Sequence, residues 1–403
     1  MDPRIFFSTH RPYAPIDLSI YTMRISLLSP LLLLVAVLTV GCGRSGDTPG
    51  SNRTDSTTAT TGPKLSPADS ARRADSVKVA SAPATTFPEI RYRKVHIGTR
   101  TLLDSILKAF PRNAAKDTSD PSAARILATI NRKEYGSIRV GDSVVLPDSL
   151  VRDTRAYSVF PATYPGAASL PKIIMLSNAL QSYACYEYGK LIRFVGVNTG
   201  RESKATYPGR YACNWKDRLR KSSLNEFWIL PYTVNFHYHA GNAFHQFYMP
   251  GRPVSHSCVR QMMTDAKWLF DWVEVGQKDA NGKVIEFTGT PVIILDMFDF
   301  ARPRFGPWLD LKSNHDGILQ LPPKPMEVEE ALIPSSQVPG GAHQGLPHRE
   351  RYVYAEDTLR ARGIIRPQIR LSPSINYNKL RKAKQAAAAR KAKKPTAAPP
   401  AGQ

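Results

Sequence analysis

Acidic residues are in short supply: 33 Asp and Glu stand against 55 Lys and Arg in 403 residues, a formal charge of +22. That excess invites a nucleic-acid partner, but no helix-turn-helix, zinc-finger or aromatic RNA-binding signature goes with it, so nucleic acid is not expected. A long unbroken apolar run is also missing. The run from Met23-Arg24 to Val40 is interrupted by Ser29-Pro30 and is short for a membrane span, which needs about 20 residues. Large apolar side chains nearly vanish between Gly43 and Phe87. That stretch of Ser, Thr, Ala, Asp and Pro cannot bury enough surface to fold and reads as a disordered tether over 43–88. Cysteine and histidine are scarce, four and nine in the whole chain, so a place that gathers them stands out.

With 42% hydrophobic residues the chain can bury a sizeable core, and its length allows two or three domains. The charged and then apolar run ends at Gly41-Cys42. A small residue before a cysteine resembles the processing site of a lipoprotein signal peptide, here residues 1–42, with an uncleaved anchor as the alternative. Thr39 departs from the leucine usual three residues before the cysteine. Met1 to Thr22 is polar and contains proline, a poor signal-peptide start, so translation beginning at Met23 fits better. The resemblance implies lipidation at Cys42 and an exported protein, held to a membrane through its lipid anchor and facing the periplasm or cell wall.

The sixteen residues from His245 to Arg260 hold two histidines, one cysteine and one arginine. If Ser255 to Arg260 is extended, His256, Cys258 and Arg260 share a face, because strand side chains repeat every two residues. A thiol with an ordinary pKa near 8.5 is only a few per cent thiolate at neutral pH and needs a base or a cation to become a nucleophile. Either His245 or His256 could be that base. Pro250-Gly251 and Pro253 force a turn, which lets His245 fold back toward Cys258. The Arg260 guanidinium suits a substrate carboxylate. Two competing readings are a structural cysteine and a zinc site drawn from His237, His239, His245, His256 and Cys258.

The order His245, three residues, then Met249-Pro250-Gly251-Arg252-Pro253-Val254-Ser255-His256-Ser257-Cys258-Val259-Arg260 resembles the L,D-transpeptidase catalytic domain of bacterial cell-wall enzymes. Val197-Asn198-Thr199-Gly200 and Thr206-Tyr207-Pro208-Gly209-Arg210-Tyr211 are similar to the family's Ser-Thr-Gly and Thr-Pro-x-Gly-x-Phe segments, and Gly289 to Leu295 to its closing strand. Two positions depart: Ser257 stands where glycine is usual, and Pro208 is displaced by one residue. The resemblance implies a mostly β catalytic domain over 171–297, an L,D-transpeptidase-type β-sandwich with one prominent helix. It implies an enzyme forming 3-3 cross-links between peptidoglycan stem peptides through a cysteinyl thioester. Cys258 would be the nucleophile and His245 the base, with His256 orienting or polarising the centre. Backbone N–H groups near Ser257 and Cys258 would hold the oxyanion, and Arg260 would hold the local loop or a substrate carboxylate. Neither cofactor nor metal is implied. Water as acceptor would make the enzyme an L,D-carboxypeptidase, and a protein lysine would make it a lipoprotein-attaching enzyme. A non-catalytic peptidoglycan-binding lipoprotein is a further alternative.

Order also returns upstream, over 91–147. Tyr92 to Ile97 suits a strand, Leu102, Leu103, Ile106, Leu107 and Phe110 mark one helical face, and Ile126, Leu127 and Ile130 a second. With Asn131 and Ile138 to Pro147 this resembles a LysM module, a small strand-helix-helix-strand α/β unit that binds N-acetylglucosamine polymers, with Pro111 to Pro121 as an insertion. Glycan strands are the partner implied, and a ligand-free spacer is the alternative. Val151 to Leu170 reads as a connector. Ile173 to Leu176 and Tyr183 to Val197 suit strands, the second turning at Tyr188-Gly189-Lys190. Thr264 and Asp265 suit the cap of a helix bearing Trp268, Leu269, Trp272 and Val273, ending near Gly276. Cys185 and Cys213 could pair in a disulfide or stand as buried thiols. Residues 298–375 form a poorly defined extension, loop-like from Pro322 to His348, with a short helix possible within Tyr352 to Leu371. Over 376–403 the tail is basic and of low complexity. Its eight Lys and Arg from Lys379 to Lys394, without one acid, fit either an anionic polymer or lipid surface or plain solvation.

Overall fold

A computed structural model describes residues 87–112, 122–302 and 306–392. The signal peptide, Cys42, nearly all of the tether and the end of the tail lie outside them. The first described elements are β1 (Tyr92–His96), α1 (Arg100–Ala109), α2 (Ala123–Ile130) and β2 (Ser143–Pro147), and β2 runs antiparallel to β1. This is the strand-helix-helix-strand order expected. Thr99 caps α1 by accepting the Leu102 N–H. The helix turns Leu103 and Ile106 inward, where they meet Phe110, Leu127, Ile138, Val144 and Leu146.

The catalytic region follows with β3 (Ile173–Ser177), β4 (Ser182–Glu187), β5 (Lys190–Gly196), β6 (Gly209–Ala212), β7 (Trp215–Lys221), β8 (Ile229–His237), β9 (Asn242–Gln246), β10 (Val259–Gln261), α3 (Met263–Trp272) and β11 (Pro291–Ile294). They form a five-stranded sheet, β5-β4-β3-β11-β6, and a four-stranded sheet, β10-β9-β8-β7. The fold is mostly β with few helices. Tyr188 and Gly189 both have positive φ, 46° and 73°, which gives the tight turn whose twist suits a hairpin between β4 and β5.

Alternation decides what each face buries. Ile174, Leu176, Tyr183, Cys185, Val195 and Val292 face Val234, Phe236, Phe244 and Val259 of the other sheet, with Leu269 of α3 at the same core. The intervening Ile173, Met175, Ala184, Tyr186, Phe194 and Ile293 face the opposite way, onto Ile126, Ile130, Tyr157, Phe160 and Tyr164. The five-stranded sheet is thus covered on both sides, which explains its continuous apolar runs. The connector from Val151 to Leu170 is one of these covers and not an exposed link.

Several expectations are corrected. Met262, in extended backbone, precedes α3 as its cap residue, and Asp265 lies in the first turn. Asp265 is 1% exposed, and its Oδ1 pairs with Arg125 of α2 at 2.8 Å and with Arg193 of β5 at 2.7 Å, so it joins α3 to these elements and does not cap it. The helix stops at Trp272, short of Gly276. Cys185 and Cys213 are free thiols in the core, both pushed upward in pKa by burial. The extension after residue 298 packs: Ile333, Val338, Leu359, Ile365 and Leu371 join the core between the sheets, the last three around α4 (Arg349–Ala361). The basic tail is helical over α5 (Tyr377–Ala392). Among the described residues no helix is long and apolar enough to cross a membrane.

The N-terminal unit is fastened to the catalytic region at several points. Arg132 is fully buried and donates to the carbonyls of Ile130 at 2.7 Å and Leu180 at 3.0 Å, and its own carbonyl accepts from Asn198 Nδ2 at 2.9 Å. The Glu134 N–H donates to Met249 O at 3.0 Å, and Lys133 bridges to Pro250.

Candidate active site

The site is built at the join of β9 and β10. These strands are parallel, with Arg260 opposite His245, and Cys258 stands immediately before β10. A cavity of about 180 Å³ is lined by His245, His256, Ser257, Cys258 and Arg260 together. The structure therefore gathers every residue that the sequence placed at the reaction centre, though not through an extended segment. Only Val259–Gln261 is strand, and Ser257 has φ +75°, so a left-handed turn and not simple alternation brings His256 and Cys258 to the same wall.

That turn is held from outside. The Thr206 hydroxyl donates to Ser257 O at 3.0 Å while accepting the Gly200 N–H at 3.0 Å. The Ser255 hydroxyl donates to Cys258 O, and the Ser257 hydroxyl to Asn242 Oδ1 at 3.1 Å. Asn198 pairs both ways with the Arg260 backbone, and its Oδ1 accepts the Gly251 N–H at 2.9 Å. The two upstream motifs, Val197 to Gly200 and Thr206 to Tyr211, are thus the supports of the Cys258 turn.

Cys258 is half-buried. Burial pushes its thiol upward in pKa, while the Ala243 N–H and the cations Arg260 and Lys204 pull it down. His245 is buried and held down to about 4, again by burial. Its Nδ1 lies 2.9 Å from Gln246 O. A carbonyl can only accept, so the proton sits on Nδ1 and leaves Nε2 bare, the form a proton acceptor needs. His256 is also held down to about 4, by burial and then by Arg201, Lys204 and Arg260. Arg201 donates to its Nε2 at 2.9 Å, and the Trp228 ring lies 5.1 Å away. Arg260 donates to Tyr248 O at 3.1 Å and lies over the Phe247 ring, so its guanidinium braces the local loop.

Of the five residues of the zinc alternative, His237 and His239 stand apart from the other three. His237 accepts the Ala240 N–H at 3.1 Å, and His239 pairs with Glu286 at 3.0 Å; neither lines this cavity. Among the described residues no group of three or more His, Cys, Asp and Glu is arranged to hold a metal ion. Lys204, Arg201 and Trp228 contribute to the site without having been singled out in the sequence. Lys204 lies between the two upstream motifs, and Trp228 belongs to the β7–β8 hairpin, which closes over the site. Nothing local marks either.

Residues 171–294 match the YkuD family model, the L,D-transpeptidase catalytic domain. This is the family that the flanking motifs resemble. Among solved structures, an L,D-transpeptidase from Stackebrandtia nassauensis is 24% identical over 32% of this chain and 57% of its own, with a TM-score of 0.26. An L,D-transpeptidase from Mycobacterium smegmatis is 15% identical over 31% of this chain and 58% of its own, at 0.26. L,D-transpeptidase 3 from Mycobacterium tuberculosis, in complex with a faropenem-derived adduct, is 17% identical over 31% and 60%, at 0.25. This chain thus spans less than two thirds of the length of these structures. A comparison with curated proteins finds no match.

Proposed function

We propose that this chain is a peptidoglycan L,D-transpeptidase that makes 3-3 cross-links between stem peptides through a thioester on Cys258. The observation that carries the reading is one cavity holding a half-buried thiol together with a neutral imidazole whose Nε2 is bare. With the thiol raised and the imidazole lowered, the resting pair is uncharged. His245 therefore acts as a general base during attack and not as half of a preformed ion pair.

In the first half-reaction the proton of Cys258 passes to His245 Nε2 as the sulfur attacks the carbonyl of the stem's third residue. Backbone N–H groups of Ser257 and Cys258 hold the oxyanion, worth roughly 3 kcal/mol per donor. Collapse breaks the peptide bond, the imidazolium returns its proton to the leaving D-alanine amine, and the thioester remains. An amine of a neighbouring stem, giving its proton to His245, then attacks the thioester and frees the thiol. His256, fixed by Arg201, orients the turn, and Arg260 keeps the loop braced against Tyr248. The unit at 91–147 would hold glycan strands, and a lipid on Cys42 would hold the exported chain at a membrane facing the periplasm or wall.

The test is incubation with tetrapeptide stems. Wild type should yield a cross-linked dimer with loss of D-alanine, and Cys258→Ala should yield none. D-alanine without dimer would make the enzyme a carboxypeptidase, and dimer from Cys258→Ala would overturn the mechanism. A carbapenem, used as a probe, should add its mass covalently to wild type and not to Cys258→Ala.

A further inference from the structure

Three cations, Lys204, Arg220 and Arg260, line the cavity beside Cys258, with Arg201 reaching His256 behind them, and among the described residues no carboxylate lines it. Arg201, Arg220 and Arg260 each have a partner. Arg201 donates to His256, Arg260 donates to Tyr248 O, and Arg220 lies 4.4 Å over the Trp215 ring and 3.9 Å from Asp217. Lys204 differs. It is 3% exposed, and its ammonium is buried with no hydrogen-bond partner. A buried ammonium left unpaired is a costly arrangement.

The backbone around Lys204 is tightly fixed. A Cβ added at Gly200 would come within 2.4 Å of Lys204 O, so only glycine lets the loop close there. Lys204 N donates to Arg201 O at 2.9 Å, and Ser203 O accepts the Ser372 N–H at 2.7 Å from the C-terminal extension. The loop that holds Lys204 is the one whose Thr206 supports the Ser257 turn. Cation and sulfur are therefore held by two segments that the Thr206 hydroxyl joins.

We infer that Lys204 is the counter-ion of the Cys258 thiolate, kept without a partner in the cavity wall so that the sulfur, once deprotonated, is the anion that meets it. The inference rests on Cys258 being the nucleophile. The charged and titratable groups around Lys204 are Arg201, Arg220, His256, Arg260 and Cys258, and of these only the thiol can become negative. Burial and Arg201 lower Lys204 to about 8, with Cys258 acting in the opposite sense, so it still carries its charge at neutral pH. No proton moves to or from Lys204. The thiol proton goes to His245, the electron pair stays on sulfur, and the ammonium faces the resulting charge. This offsets the burial that otherwise opposes thiolate formation.

The experiment is alkylation of the full-length protein by iodoacetamide from pH 5 to 10, with the adduct on Cys258 quantified by peptide mass spectrometry. Lys204→Met should slow alkylation about tenfold at pH 7, equivalent to a thiol pKa raised by about one unit. The two profiles should converge at high pH, and Lys204→Arg should restore most of the rate. Thermal unfolding of Lys204→Met should not fall, because an unpaired buried charge has been removed. Lys204→Gln serves as the neutral comparison if the Met variant does not fold. A Lys204→Met profile that superimposes on wild type, or that is slower by the same factor at every pH, overturns the inference while leaving the nucleophile in place. A wild-type Cys258 that alkylates at no pH removes the nucleophile, and the counter-ion with it.

Discussion

Two substitutions at Ser257 separate backbone strain from side-chain bonding at the turn before the thiol. Ser257 sits at φ +75°, a region that costs an L-residue about 1–2 kcal/mol and that glycine enters freely. Its hydroxyl donates to the buried Asn242 Oδ1 at 3.1 Å and to His256 O. Ser257→Ala and Ser257→Gly both delete that hydroxyl and leave Asn242 without its donor, a loss of about 1–3 kcal/mol common to the two. They differ in the φ penalty, about 1–2 kcal/mol in favour of glycine, against which stands glycine's greater freedom when unfolded, about 0.5–1 kcal/mol. Ser257→Gly should therefore be more stable than Ser257→Ala by about 1 kcal/mol. Urea unfolding reads the difference directly, provided the two share an m-value. An alanine variant as stable as the glycine variant would refute the strained turn.

Burial holds His237, His245 and His256 each at about 4, below the ordinary 6.5. The unfolded chain then binds more protons between those values, so stability should fall as pH drops through that window, by up to about 1.4 kcal/mol per pH unit for each histidine; a flat denaturation midpoint there would contradict it. Asp265→Ala strands Arg125 and Arg193, whose side chains are 12% and 16% exposed, and should destabilise the fold by about 3–5 kcal/mol. A loss under about 1 kcal/mol, the scale of a surface pair, would mean the carboxylate does not pin the two units. Trp228 lies between the His256 and Tyr377 rings at 5.1 and 5.7 Å. Tyr377→Ala should speed hydrogen exchange over 222–228 with global unfolding unchanged, and identical exchange would show that α5 does not clamp the hairpin.

What was legible in the sequence was local. Cys258, His245, His256 and Arg260 fall within one segment, and the hairpin at Tyr188-Gly189 and the apolar runs of β3 to β5 declare themselves over a few residues. Ser257 stands where the resembled family has glycine, and the positive φ is found there. What stayed hidden depends on partners far along the chain. Asp265 looks like a helix cap until Arg125, 140 positions away, takes its carboxylate. The packed connector and the loop-like part of the extension carry isolated apolar residues without periodicity, so nothing distinguishes Tyr157 or Ile333 from loop residues until the sheets beneath them are known. Lys204 is one basic residue among 55, and its distinction lies wholly in having no partner.

The fastening of the N-terminal unit to the segment that leads into Cys258 would turn the two proposed activities, glycan holding and cross-linking, into one measurement. Because Lys133 and Glu134 are bonded to Met249 and Pro250, a glycan strand held by that unit, as proposed, would not wander relative to the sulfur. It would arrive at one offset and one polarity. Such an enzyme would work as a gauge: stems at one phase of a glycan strand's repeat would come into reach and those at other phases would point away, so the pitch of the polymer, and not only the chemistry of the peptide, would select where the wall is joined.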